Sequence, residues 1–125
     1  MVLVVFWGIR CRRCLDELPE VQKLHELYAE RGLKVVAIHS QKHDKAKSYV
    51  AEQKYTFPVG LISGQRLFEN YLVRGLPACY LIDKEGHIVW GPERDLPSRL
   101  QVEALLAGQK LTPATEPVRT SPATP

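Results

Sequence analysis

Short apolar runs alternate with amphipathic segments along most of the chain. The runs at 2–6 and 34–38 are rich in β-branched residues and have the length of buried strands. Between them, apolar residues recur at helical spacing, which predicts a helix from about Arg12 to Glu30 that Gly32 ends. Strand, helix and strand in this order predict one βαβ unit with parallel strands. The apolar stripe of the helix consists of Leu18, Val21, Leu24, Leu27 and Tyr28.

After the second strand, the pattern predicts a helix, an extended segment, a short helix, two strands and a last helix. Their approximate bounds are 44–54, 57–59, 67–72, 78–82, 87–90 and 97–107. The turn Asp83–Gly86 ends on glycine, which favours an antiparallel hairpin between the two strands. Ser98 or Asp95 is a suitable cap for the last helix. The expected fold is α/β, with a central mixed four-stranded sheet (βαβ plus ββα) flanked by helices.

Composition divides the chain at about residue 110. Residues 1–109 carry the periodic apolar pattern of one compact domain. Residues 110–125 alternate proline with threonine and contain almost no apolar bulk. This composition predicts a disordered tail, because it cannot bury enough apolar surface to offset the entropy of ordering.

The charge of the chain does not indicate binding to nucleic acid or to a membrane surface. The net charge is +3 and the pI is about 8.8, but the basic residues are scattered apart from a group near two cysteines. Neither a nucleic-acid footprint nor a membrane-binding surface is therefore expected. No apolar run approaches the roughly 18 residues that span a bilayer. We expect a monomer that binds neither nucleic acid nor membrane.

The chemistry of the chain concentrates where the first strand leads into the first helix. Cys11 and Cys14 are three residues apart and directly follow the apolar run and Trp7. A helix that begins near Arg12 would place Cys11 at its N-terminus, where free N–H groups and the helix dipole favour a thiolate. Positions three apart lie roughly 5–6 Å from each other, within the reach of a disulfide. The spacing therefore predicts a redox-active CxxC pair.

A third cysteine and four histidines complete the set of candidate ligands. Cys79 lies on a predicted strand and is interpreted as a small buried thiol, with a place near the redox pair as the alternative. The histidines show no ligand spacing with the cysteines, and a closed zinc site normally needs four well-placed ligands. We therefore expect no metal site.

Two separated motifs occur in the chain. The first motif, FWxxxCxxCxxExP, is matched by Phe6, Trp7, Cys11, Cys14, Glu17 and Pro19. The second motif, YxVxGxPxxxLID, is matched by Tyr71, Val73, Gly75, Pro77, Leu81, Ile82 and Asp83. Together they resemble the motifs of the thioredoxin superfamily, and within it of the TlpA/ResA-type thiol-disulfide oxidoreductases. The resemblance covers roughly residues 2–107 and implies the thioredoxin fold.

The resemblance implies a role for each residue of the first motif. Cys11 would attack a substrate disulfide as the thiolate, and Cys14 would resolve the mixed disulfide. Glu17 lies one helical turn beyond Cys14 and would exchange a proton with that thiol, the alternative being a solvated helix charge. Trp7 would shield the pair and form part of the substrate surface, with core packing as the alternative.

The second motif implies a cis peptide bond between Leu76 and Pro77, in a loop beside the cysteines. Backbone groups of Leu76 would then pair with an extended substrate peptide, as in strand addition. The alternative is a trans proline that opens the following strand. Trp7, Leu76 and Pro77 are thus the expected substrate-binding residues.

The chain departs from the family pattern at several positions. Arg10, Arg12 and Arg13 surround Cys11 and are expected to lower its pKa and make the couple more oxidising, unless they point into solvent. Val5 stands where thioredoxins carry a buried aspartate, which favours Glu17 as the proton carrier. The chain begins at the first core strand without an export signal, so we expect a cytoplasmic protein, with the extracytoplasmic setting usual for the family as the alternative.

The resulting hypothesis is an enzyme that reduces or exchanges protein disulfides through a CxxC couple. Its expected partners are disulfide-containing proteins and an unidentified thiol electron donor. No organic cofactor is expected, because the two sulfurs carry the electrons themselves. The alternatives are a noncatalytic binding module with a structural disulfide and a thiol peroxidase.

Overall fold

Strands and helices follow one another in the order that the apolar pattern predicts, except that the predicted extended segment leads into an additional strand. A computed structural model describes residues 1–40, 42–62, 66–71, 73 and 75–111. Strands β1 to β5 span Val2–Trp7, Lys34–Ser40, Val59–Ile62, Ala78–Ile82 and Ile88–Glu93. Helices α1 to α4 span Arg12–Tyr28, His43–Glu52, Arg66–Asn70 and Arg99–Leu106. The α/β class is confirmed. Most of the predicted tail, and Leu72 of the predicted short helix, lie outside the described residues.

The described strands form one mixed sheet in the order β3-β2-β1-β4-β5. β1 and β2 are parallel, as predicted for the βαβ unit, and β4 and β5 form the predicted antiparallel pair. The predicted count of four strands is wrong, because the extended segment continues into β3 and pairs with β2. This edge strand is only four residues long and includes Gly60, so its sequence carries a weak strand signal.

The central strand β1 is apolar throughout because both of its faces are covered. Leu3, Val5 and Trp7 face a cluster that includes α1, whereas Val4 and Phe6 face a second cluster with Phe68 of α3. Successive side chains of a strand point to opposite faces of the sheet. The run at 2–6 is therefore the buried centre of the fold.

The predicted apolar stripe of α1 is confirmed except at one position. Leu27 is 49% exposed, whereas Leu24 and Tyr28 are buried. Repeated steps of three residues drift around a helix of 3.6 residues per turn, and the step of four from Leu24 to Tyr28 returns to the buried face. α1 ends at Tyr28, a 3₁₀ turn follows at Ala29–Arg31, and Gly32 then adopts a left-handed conformation with φ 102°.

The start of α4 settles the choice between its two predicted caps. The Ser98 hydroxyl accepts a hydrogen bond from the backbone N–H of Gln101, and the Gln101 side chain accepts one from the N–H of Ser98. This reciprocal capping box leaves Asp95 free for other contacts. None of the helices in the described ranges is long and apolar enough to cross a membrane.

Candidate active site

The strand β1 delivers the first cysteine to the start of α1. A short loop, Gly8–Arg10, connects the two elements, and the Cys11 N–H donates to the carbonyl of Gly8 at 3.0 Å. Cys11 is the N-cap of α1, with extended backbone angles of φ −91° and ψ 104°. The predicted location of this cysteine at a helix N-terminus is confirmed.

Cys11 and Cys14 form a disulfide with their Cα atoms 5.2 Å apart. The backbone N–H of Cys14 donates to the Sγ of Cys11 at 3.2 Å, a contact that would also stabilise a thiolate there. Cys14 is 1% exposed, whereas Cys11 is only partly buried. An incoming sulfur therefore reaches Cys11 and not Cys14.

The loop before β4 packs directly against the loop before α1. The peptide bond between Leu76 and Pro77 is cis, which is the conformation that the resemblance implies. A Cβ added to Gly8 would lie 3.1 Å from Cδ1 of Leu76, so the two loops are in contact. Pro77 is buried and Leu76 is partly exposed. The structure thus brings together the two motifs that are about 60 residues apart in the sequence.

Glu17 is held between charged groups at the edge of the buried region. One carboxylate oxygen accepts a hydrogen bond from Nε of Arg13 at 3.4 Å. The other oxygen, Oε2, is buried without a hydrogen-bond partner among the described residues. Burial raises the pKa of the Glu17 carboxyl, and the hydrogen bond from Arg13 opposes this shift only in part. Glu17 is therefore more than a solvated helix charge.

Cys79 is 1% exposed, which confirms its interpretation as a buried thiol. Its thiol donates to the carbonyl oxygens of Glu93 at 3.3 Å and Asp95 at 3.2 Å. Burial, and then the charge of Glu17, raise the pKa of Cys79 well above its usual range. Cys79 also pairs with Val5 across the sheet. The charge of Glu17 thus acts on the buried region around Val5, the position at which thioredoxins carry an aspartate.

Trp7 lies in the core and not on the surface. Its side chain is 0% exposed, and its ring packs edge-on against the His39 ring with centroids 4.7 Å apart. In this conformation Trp7 cannot touch a substrate, which favours the core-packing alternative. The register of the two parallel strands pairs Trp7 with His39, and Trp7 belongs to the core cluster on the α1 side of the sheet.

The three arginines near Cys11 differ in their contacts. Arg12 pairs with Asp16 at 3.2 Å, and Arg13 pairs with Glu17 and also with Asp95. Arg10 is exposed. Two of the three cations thus have carboxylate partners that offset part of their field. Their effect on the Cys11 thiol stays a prediction.

Two residues with direct contacts to the site loops were missing from the sequence prediction. His39 accepts a hydrogen bond at Nε2 from the backbone N–H of Ile9, at 3.0 Å. Arg94 donates from Nη2 to the carbonyl of Leu76 at 2.7 Å. The register of two parallel strands, which sets residue 39 beside residue 7, was the available signal for the histidine; nothing in the sequence pointed to the arginine.

No three His, Cys, Asp or Glu side chains in the described part of the chain lie close enough together to hold a metal ion.

A protein-family model described as the AhpC/TSA family matches residues 1–91. The chain belongs to the AhpC/TSA family. Two relatives are named thiol-disulfide oxidoreductase ResA. The one from Bacillus thuringiensis (strain Al Hakam) is 36% identical over 89 residues, which cover 70% of this chain and 51% of the relative. The one from Bacillus cereus (strain ZK / E33L) is 33% identical over 115 residues, 90% of this chain and 64% of the relative.

Solved structures give the fold of this AhpC/TSA family member. An exposed lipoprotein thioredoxin from Streptococcus pneumoniae superposes with a TM-score of 0.70 at 24% identity, covering 86% of this chain and 83% of that one. The fold is the thioredoxin fold, as the resemblance implies. The chain spans about half the length of the first curated relatives it matches.

Proposed function

We propose that this AhpC/TSA family member is a thiol-disulfide oxidoreductase that acts on protein disulfides. The observation that carries the proposal is the arrangement of Cys11, partly exposed at the N-terminus of α1 and bonded to the buried Cys14. The cis-proline loop lies beside this pair. The name of the ResA relatives supports the same activity.

The proposed reaction begins from the reduced dithiol. The Cys11 thiolate attacks one sulfur of a substrate disulfide, forms a mixed disulfide and releases the other substrate sulfur as a thiolate. Cys14, once deprotonated, attacks the Sγ of Cys11 and releases the second substrate sulfur. Two electrons pass to the substrate, and the Cys11–Cys14 disulfide forms. A thiol donor then reduces this disulfide and closes the cycle.

The loop at Leu76 is the proposed contact for the substrate backbone. A carbonyl oxygen has two lone pairs, and Arg94 uses one on Leu76. The second is available to an N–H of an extended peptide lying along the loop. Disulfide-containing proteins are therefore the proposed substrates, and an unidentified thiol is the proposed donor.

The equilibrium reduction potential of the Cys11/Cys14 pair tests the proposal. It is measured in glutathione and dithiothreitol buffers with thiol trapping, on a Cys79→Ser variant so that two thiols are counted. We expect a reversible two-electron couple. A value near about −270 mV marks a reductant and one near about −120 mV an oxidant. Absence of a reversible couple would overturn the proposal in favour of a binding module with a structural disulfide.

Glu17 is the proposed proton carrier for Cys14. It lies one helical turn beyond Cys14, and the helix places residues three apart on nearly the same face. Its raised pKa lets the carboxyl group take a proton nearer neutral pH than an exposed glutamate does. The charge of Glu17 raises the pKa of Cys79, which pairs with Val5 on the neighbouring strand. This supports Glu17 as the group that replaces the aspartate that thioredoxins carry at the position of Val5.

A Glu17→Gln variant should lose activity without losing stability at neutral pH. We expect disulfide reduction to slow by about 10²-fold, the usual contribution of a positioned proton carrier. Because the pKa of Glu17 is raised by folding, its charged form destabilises the fold. The wild type should therefore become less stable relative to the variant as the pH rises above about 4, the value for an exposed glutamate.

The measurements are the pH–rate profile and urea unfolding at several pH values. Asp16→Asn is the matched control, since Asp16 is an exposed carboxylate on the same helix, paired with Arg12. We expect the control to change neither quantity by much. An unchanged pH–rate profile in Glu17→Gln would exclude the proton-carrier role.

A further inference from the structure

A buried imidazole contacts the Gly8–Arg10 loop, which leads from β1 to the redox pair. His39 is 1% exposed and stands near the end of β2. Its Nε2 accepts a hydrogen bond from the backbone N–H of Ile9 at 3.0 Å, and Ile9 is two residues before Cys11. The hydrogen bond thus joins the core of the sheet to the Gly8–Arg10 loop.

This hydrogen bond defines the chemical state of the imidazole. A nitrogen that accepts carries no proton, so His39 is neutral and holds its proton on Nδ1. A protonated imidazole donates from both nitrogens and would set two donors, Nε2–H and the N–H of Ile9, against each other. The contact therefore exists in one protonation state and fails in the other.

The surroundings of His39 favour its neutral state. β1 presents the uncharged ring of Trp7, and the loop presents the backbone N–H of Ile9. α2 presents His43, whose ring centroid is 6.3 Å from that of His39 and whose Nε2 lies 2.9 Å from the carbonyl of Ile62. Burial lowers the pKa of the His39 imidazole, and the charge of His43 lowers it further.

The loop that His39 holds also determines the position of Cys11. The Cys11 N–H donates to Gly8, and the Cys11 sulfur accepts from the N–H of Cys14 at the helix N-terminus. The opposite side of Gly8 contacts Leu76 of the cis-proline loop. A shift of the loop would change the stabilisation of the Cys11 thiolate and the contact between Gly8 and Leu76.

We propose that neutral His39 is a positioning residue for the Gly8–Arg10 loop, and that its protonation at acid pH releases the loop and lowers the reactivity of Cys11. The effect on reactivity rests on the proposed oxidoreductase function. The effect on the loop does not, so the two can be tested separately.

The loop is tested by NMR on the whole chain. We expect the imidazole ¹⁵N shifts to show the Nδ1–H tautomer of His39, and the Ile9 amide to exchange slowly with solvent. His39→Leu keeps the apolar bulk but removes the acceptor, and should speed this exchange at least tenfold. His39→Gln supplies an amide oxygen near the place of Nε2 and should restore slow exchange. His43→Gln is the matched control and should leave the Ile9 amide protected.

The reactivity is tested by the pH dependence of disulfide exchange at Cys11 and by the reduction potential. Every variant should lose rate at acid pH as the Cys11 thiolate is protonated. The wild type should show an additional acid-side loss that His39→Gln lacks, and His39→Leu should be at least tenfold slower at neutral pH. An Nε2–H tautomer, or equal Ile9 exchange in wild type and both variants, would overturn the proposal. If His39→Leu does not fold, the wild-type tautomer and the Gln variant decide. If the Ile9 amide is protected but the protein shows no reversible dithiol couple, the contact between His39 and the loop stands, and only the proposed oxidoreductase function is refuted.

Discussion

A Cys11→Ser variant is expected to lose reduction of protein disulfides by a factor on the order of 10³ or more. Cys11 is the partly exposed cysteine of the pair, at a helix N-terminus that stabilises its thiolate. A serine hydroxyl is not ionised at neutral pH and cannot form a disulfide. Cys14 cannot substitute for it, because its side chain is 1% exposed. Insulin reduction by dithiothreitol-recycled protein measures the loss.

The other two cysteines provide the matched comparisons. Cys14→Ser should accumulate a mixed disulfide with substrate through Cys11, which mass spectrometry detects, because no resolving thiol remains. Cys79→Ser should retain the wild-type rate, since this thiol is buried and kept protonated by its raised pKa. Loss of activity in Cys79→Ser with full activity in Cys11→Ser would contradict the assigned roles. Peroxide consumption without disulfide reduction would favour a thiol peroxidase instead.

A Gly91→Ala variant is expected to lose more than about 3 kcal/mol in the free energy of unfolding, a size typical of severe steric conflict. This is the largest stability effect expected for any of the proposed variants. Gly91 adopts φ 102°, a conformation that side chains disfavour. An added Cβ would also collide with the carbonyl oxygen of Cys79 and lie 3.0 Å from Cα of Tyr80. These are backbone atoms of β4 that cannot move without the strand.

Gly86→Ala separates the two contributions. Gly86 also has a positive φ, 87°, but an added Cβ would meet no atom within 4 Å. This control should therefore cost only the conformational penalty, about 1 kcal/mol. Urea unfolding of both variants measures the difference between them. Equal losses would mean that β4 and β5 separate easily, and that the contact between Gly91 and Cys79 contributes little to the sheet.

The fold was predictable where burial leaves a periodic signal. The strand at 2–6 and the helix that follows are covered by apolar neighbours, so their sequence shows which faces are buried. The strand β3 was missed because it is an edge strand of only four residues, and Gly60 interrupts its apolar run. It forms because β2 offers backbone groups to pair with, which a local pattern does not show.

The sequence predicts the reacting cysteines of the candidate site but not the residues that hold the loops around them. Cys11 and Cys14 are recognisable because their spacing alone permits a disulfide, and Leu76–Pro77 belongs to a motif. The interactions of His39 and Arg94 are made with backbone groups of distant loops. Any residue can supply a backbone group, so the sequence does not show which residue is the partner. Such contacts become visible only when the register of the strands is known.

The position of β1 at the centre of the sheet has a consequence for synthesis on the ribosome. β1 is made before the other four described strands, and its β2 edge is covered once residues 34–39 have followed. Its other edge pairs with β4, where Val2 lies opposite Ile82. Until Ile82 is translated, the nascent chain has an apolar strand with one open edge and two cysteines beside it. Pairing with β4 therefore ends the period in which this edge is open to aggregation and the cysteines can pair with the wrong thiols.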